Sequence, residues 1–183
     1  MRYAMVAVAV GLLLNVSPSA QNPTATTGSA AITATAGLID TQRRAIGEAR
    51  LQQTPHGVLV KLDLKNATPG IHALHVHEVG RCDAPSFESA GGHFDAAGHQ
   101  HGFLNPRGHH AGDLPNIEVP AASTQHSVEH LVANVTLEPG PRTLLDANGS
   151  SIVIHAGKDD YMTDPAGNSG DRLACGRIVA EMR

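Results

Sequence analysis

Apolar and polar residues alternate with a period of two along several short stretches of this chain. Val58-Leu-Val-Lys-Leu-Asp-Leu64 is the clearest. One of its faces is aliphatic and the other mixed, as expected of a strand half-buried in a sheet. Related stretches run from Ala30 to Ile39, Ile46 to Gln52 and Ile71 to His77. Others occur at Asn116 to Val119, Val128 to Leu137, Ser151 to His155 and Leu173 to Ala180. Asn66-Ala-Thr-Pro-Gly70 supplies turn chemistry between two of them, and Gly149 marks a turn before Ser151. No amphipathic helix of useful length is visible. Many short strands without helices predict one all-β domain, a sandwich or barrel, with no internal repeat.

Two segments lack any such pattern. Glu78 to Pro115 is nearly forty residues rich in Gly, His, Pro, Asp and Asn, too long for an idle connection in a compact domain. It calls for an internal cross-link, which a metal ion or a disulfide would provide. Ala156 to Asp171 is a second irregular loop.

Composition narrows the class. The chain has 183 residues, a formal charge of -4, no Trp and 3% aromatics. The core must therefore come from Val, Ile, Leu and Ala. No basic run interleaves with aromatics, so nucleic acid is not an expected partner. Arg2 and the apolar run Ala4 to Leu14 have the form of a secretory signal, with cleavage expected near Ala20. That run is too short to span a bilayer, which points to export without stable membrane insertion. Residues 1–20 are thus read as a signal peptide, 21–29 as a flexible arm and 30–183 as the domain. Cys82 and Cys175, the two cysteines, most simply form one disulfide in an exported chain. Closing a loop of roughly 90 residues is valued at ~4–5 kcal/mol by the chain-entropy model.

The chemistry lies in the histidines, of which there are twelve. His75 and His77 sit at i and i+2 on a predicted strand, so both rings project from one face. His155 ends another predicted strand and can meet them across the sheet. His72, an odd number of residues from His75, falls on the opposite face and reads as a hydrogen-bonding structural histidine. In the long loop, His93, His101, His110 and Asp113 are separated by intervals of eight, nine and three residues. Histidines converging on one ion suit a redox-capable copper, and a His/His/His/Asp set suits tetrahedral zinc. By spacing alone, His99 and His109 are alternatives to His101 and His110.

The stretches His72-Ala-Leu-His-Val-His-Glu78, Ser89-Ala-Gly-Gly-His-Phe94, Gly112-Asp113 and Arg172-Leu-Ala-Cys-Gly176 resemble copper/zinc superoxide dismutase. The resemblance covers about residues 30 to 180. It implies a Greek-key β-barrel or sandwich of about eight strands with two long functional loops. It also implies copper on His75, His77, His93 and His155, and zinc on His93, His101, His110 and Asp113, with His93 bridging. His101 and His110 are selected over their neighbours on this ground. Asp159 matches a carboxylate that orients His75 and His101, and Cys82–Cys175 matches an intrachain disulfide. Arg172 matches an arginine that attracts the superoxide anion, the implied substrate. Asp171 stands where the family generally has a small residue, and a carboxylate there is expected to weaken that attraction.

The implied reaction is superoxide dismutation by Cu(II)/Cu(I) cycling, giving dioxygen and hydrogen peroxide. Arg172 and His93 are its implied catalytic residues, His93 also carrying a proton. The eleven residues from Cys82 to His93 resemble the bacterial form, which with the signal implies a periplasmic or secreted enzyme. No interface pattern is legible, which leaves a homodimer open. The rival is a metal-binding module that buffers or delivers copper; it would need neither Arg172 nor a structural zinc.

Overall fold

The computed structural model describes residues 31–121 and 124–181. The expected signal peptide and arm lie outside the described residues. Among the described residues ten strands form: β1 (Thr33–Asp40), β2 (Ala45–Thr54), β3 (Gly57–Lys65), β4 (Gly70–His72), β5 (Leu74–His77), β6 (Ile117–Val119), β7 (Gln125–Val132), β8 (Ser151–His155), β9 (Arg172–Arg177) and β10 (Val179–Ala180). One antiparallel sheet runs β5-β8-β9-β1-β2-β3-β7, with β10 beside β1. A second ladder pairs β4 with β6. Because β4 leads into β5 and β6 precedes β7, this ladder brings the two ends of the sheet together and curls it into a barrel. The non-consecutive neighbours β3–β7, β5–β8 and β9–β1 are Greek-key crossovers.

Alternation in the sequence translates directly into packing. Val58, Val60, Leu62 and Leu64 of β3 all point into the core, alongside Leu38, Leu51, Leu74, Ile152 and Ile154. On β8, by contrast, all five residues are buried. Its inner face meets the barrel core. Its outer face carries Val153, which packs with Phe87, Ala90 and Cys175 in a second cluster. The long loop after β5 therefore docks onto the outside of β8 and β9. The Cys82–Cys175 bond, closing a separation of 93 residues, bolts it there. The loop's only helical piece among the described residues is a short 3-10 turn, Glu88–Ala90.

The structure interrupts or cuts short the expected strands at three places. Ile71 to His77 divides at Ala73, whose N–H donates to Gly157 and whose carbonyl accepts from His155, so the second irregular loop is stitched in there. The predicted Val128 to Leu137 strand ends at Val132, because Asn134 adopts a left-handed backbone with φ 63°. Val135 and Leu137 still reach the core, but from a non-strand backbone. Leu173 to Ala180 divides at Ile178, whose N–H turns away to Ser150.

Candidate metal centre

β5 is an end strand of the main sheet, and its free edge is where the centre is assembled. The edge is paired by loop backbone: Val76 N–H donates to Gly112, Phe94 N–H to Val76, and Gly112 N–H to Phe94, each at 2.8 Å. These contacts bring His93 opposite His77 and Asp113 opposite His75. Gly112 has to be glycine, since a Cβ there would collide with the Val76 carbonyl oxygen. His155 arrives from β8 on the other side of β5, where Leu74 faces Ile154 and a bulge at Ile154/His155 re-aims the ring.

Donor atoms of His75, His77, His93 and His155 lie within 4.8 Å of one another, and all four residues are buried. Four of their ring nitrogens have no hydrogen-bond partner: Nδ1 of His75 and Nε2 of His77, His93 and His155. An orphaned buried nitrogen costs about 1–3 kcal/mol. Four converging on one point are the signature of a cation site.

The other nitrogen of each of three rings is held. His75 Nε2 donates to Asp159 at 2.8 Å, His77 Nδ1 to the Gly91 carbonyl at 3.0 Å and His155 Nδ1 to the Gly170 carbonyl at 3.2 Å. Each such bond fixes the tautomer that leaves the orphaned nitrogen its lone pair. Burial pushes the pKa of all four rings down, to about 4 for His93 and about 3 for His155. At neutral pH they are uncharged donors, as a metal requires.

A second group adjoins the first. His93 Nδ1 and His101 Nδ1 lie 2.8 and 3.0 Å from Asp113 Oδ1. His110 Nδ1 is 3.3 Å from both Asp113 Oδ1 and His93 Nδ1. Tetrahedral zinc with bonds of about 2.0–2.2 Å spaces its ligand atoms by about 3.3 Å, close to the distances of these three ring nitrogens from Asp113 Oδ1. The second set whose donor atoms all lie within 4.8 Å of one another is His75, His93, His101 and Asp113, without His110. His75 enters it because its ring lies 3.9 Å from that of His93. Its Nε2 is committed to Asp159, and its unpaired Nδ1 belongs with the first set.

Burial alone would raise the Asp113 carboxyl. Hydrogen bonds from His101, His110, His93 and the Gly102 N–H outweigh it and hold the group far below the usual range. Burial disfavours a charged His101, but Asp113 and Asp159 on its two nitrogens raise its pKa to about 9. His99 and His109 stand outside. His99 is half exposed against Asp95, and His109 bonds the His110 carbonyl and packs on Phe103. His72 is the expected structural histidine, with its ring between the carbonyls of His155 and Thr68.

The copper/zinc superoxide dismutase family model matches residues 45–178. The chain belongs to that family. It is 48% identical over 143 residues to a copper/zinc superoxide dismutase of Aquifex aeolicus, covering 77% of this chain and 83% of that one. With the enzyme of Caulobacter vibrioides the identity is 50% over 135 residues, covering 72% and 77%. Among solved structures, a superoxide dismutase-like protein from Bacillus subtilis superposes with a TM-score of 0.76 at 36% identity, covering 79% and 97%.

The other residues expected of a member of this family also have defined places. Asp159 is buried and joins the two groups, its Oδ2 on His75 and its Oδ1 on His101 at 2.9 Å. Asp160 does something else: it ties its own loop through Met162, Thr163 and Asn168. Arg172 opens β9 directly opposite His155. Its guanidinium donates to the carbonyls of Phe87 at 2.6 Å and Gly91 at 2.7 Å. Among the described residues no ion pair joins it to Asp171. Both side chains, with Glu88, line one concavity of about 570 Å³.

Sequence reasoning missed three contributors. Asn116 grips Asp159 with both ends of its amide, accepting from its N–H and donating to its carbonyl. Asp164 accepts the His101 N–H. The Gly91 carbonyl serves both His77 and Arg172. Only the last had a signal, the Gly91-Gly92 pair just before His93, since adjacent glycines mark a close backbone approach.

Proposed function

We propose that His75, His77, His93 and His155 hold copper while His93, His101, His110 and Asp113 hold zinc, with His93 shared. The four unpartnered buried nitrogens carry this reading. The family's chemistry is the dismutation of superoxide to dioxygen and hydrogen peroxide, for which bound copper supplies the Cu(II)/Cu(I) couple and zinc a fixed charge.

The chain's own residues do the rest. Asp159 locks His75 and His101 in one tautomer each, so that both centres keep their donors aimed. The His93 ring places one nitrogen in each group, which suits it to hold or release a proton at Nε2. Arg172 is pinned by two carbonyls beside His155, leaving its charge to draw an anion and orient it by hydrogen bonds. The Arg2 to Ala20 segment directs the chain out of the cytoplasm, to the periplasm of a bacterium or beyond.

The test is superoxide turnover by the mature chain loaded with copper and zinc, against the metal-stripped chain. Rapid copper-dependent turnover is expected. Full metal content without turnover would make the protein a metal-binding module. The partition is checked by Asp113→Ala, which should weaken zinc at least tenfold while copper stays; copper leaving first would reverse the assignment.

A further inference from the structure

The Gly91 carbonyl is a single oxygen on which two functional side chains depend. His77 Nδ1 donates to it at 3.0 Å and Arg172 Nη2 at 2.7 Å. Nothing about Gly91 itself holds that oxygen in place. The residue has φ 75° and ψ -155°, a conformation open essentially to glycine, and another glycine comes next. A peptide plane between two glycines meets little steric resistance to rotation.

The plane is held from its other side. A trans peptide points its C=O and its N–H in opposite directions. The N–H belonging to the Gly91 carbonyl's plane is that of Gly92, and it donates to Glu78 Oε1 at 3.0 Å. Glu78 comes directly after His77 and faces away from the centre. Its backbone N–H donates to Gly92 O at 3.0 Å, as an antiparallel pair would. Its carbonyl, which would normally return the bond, is taken by Asn148 at 3.0 Å. The carboxylate supplies the missing acceptor. It also fills the space where a Gly91 side chain would be, since a Cβ there would sit 2.9 Å from Glu78 Cγ and Oε1.

We infer that Glu78 is a positioning residue: by gripping the Gly92 N–H it fixes the Gly91–Gly92 peptide plane and so aims one carbonyl at His77 and Arg172 together. The inference rests on the roles given above to those two side chains. One carboxylate outside the centre thereby sets both a copper ligand's tautomer and the direction of the substrate-binding cation.

Glu78→Ala and Glu78→Gln, both loaded with copper and zinc, test this. Three readouts are compared: exchange of the Gly92 amide and the His77 Nδ1–H resonance in the reduced, diamagnetic protein; azide affinity of the oxidised protein; and superoxide turnover. The alanine variant should lose protection at Gly92 and shift the His77 resonance. Its azide affinity and turnover should fall about three- to tenfold, short of the about 10- to 100-fold typical when a ligand's direct partner is removed. The glutamine variant keeps an acceptor oxygen and should restore all three. An alanine variant with wild-type Gly92 exchange and azide affinity would overturn the inference. So would a glutamine variant as impaired as alanine, because charge rather than the hydrogen bond would then be responsible. The Gly92 amide and His77 ring N–H signals are read without turnover, so an inactive wild-type protein would refute the proposed activity and leave this test intact.

Discussion

His101 shows how much a single residue's surroundings decide. Its ring nitrogens face two carboxylates, Asp113 and Asp159, whereas His99, two positions earlier, lies on the surface. The approach of Asp159 to His101 needs Gly167, which has φ 62° and whose absent Cβ would collide with Asp159 Oδ1. Gly167→Ala should therefore displace Asp159 and lower copper and zinc affinity about tenfold or more, as loss of the carboxylate itself would. Competition titration against a chelator for each metal measures this; unchanged affinities would mean Asp159 tolerates a shift. At this scale His75, His77, His93 and Asp113 were legible as candidate donors because ligand chemistry restricts residue type, whereas spacing alone left His110 and its neighbour His109 as alternatives. Asn116 was not legible. An asparagine that grips backbone looks like any other, and its partner lies 43 residues away.

Among the elements, the strands β1 to β3 were legible from alternation, while the two loops could be recognised only as loops. The second loop delivers Asp159, Gly167 and Asp171 to three different tasks and ends where Arg172 opens β9. Asp171 and Glu88 share a concavity with Arg172, so this cation has two carboxylates for neighbours there. A unit charge about 8 Å from an anion in water contributes about 0.5 kcal/mol. Asp171→Asn should therefore raise kcat/KM about twofold at low ionic strength, with the gain vanishing as salt screens the charge. Arg172→Ala should do the reverse, lowering turnover while both metals remain. Stopped-flow turnover across ionic strength, with metal analysis, decides both. An Asp171→Asn rate equal to wild type at low salt would show that the carboxylate lies outside the anion's path.

For the whole molecule, the buried histidines make the stability of the metal-free protein depend on pH in two directions. His77, His93 and His155 have folded pKa values below the ordinary 6.5. The unfolded chain thus binds more protons below that pH, and stability falls as pH drops from about 6.5 toward 3. His101 is raised to about 9, so its contribution is present below 6.5 and lost as pH rises through 9. Urea midpoints of the chelator-treated protein should accordingly peak between about pH 6 and 7 and decline on both sides. A midpoint that keeps rising above pH 7 would show that His101 is not clamped between its two carboxylates. Loading with metal should flatten both arms, because a metal-bound nitrogen no longer titrates near neutrality.

Local pattern and ligand chemistry, both properties of the sequence by itself, determined an all-β domain, its aliphatic core, and donors suited to two metals. Pairing of the cysteines could also be read from their number and from an N-terminal stretch patterned like a secretory signal. Tertiary structure decided which histidines converge, that the loop completes the edge of β5, and that one glycine carbonyl serves two side chains. The difference is physical. Periodicity and donor type are properties of a few neighbouring residues, whereas tautomers, burial and the aim of a peptide plane depend on contacts that only the closed barrel brings together.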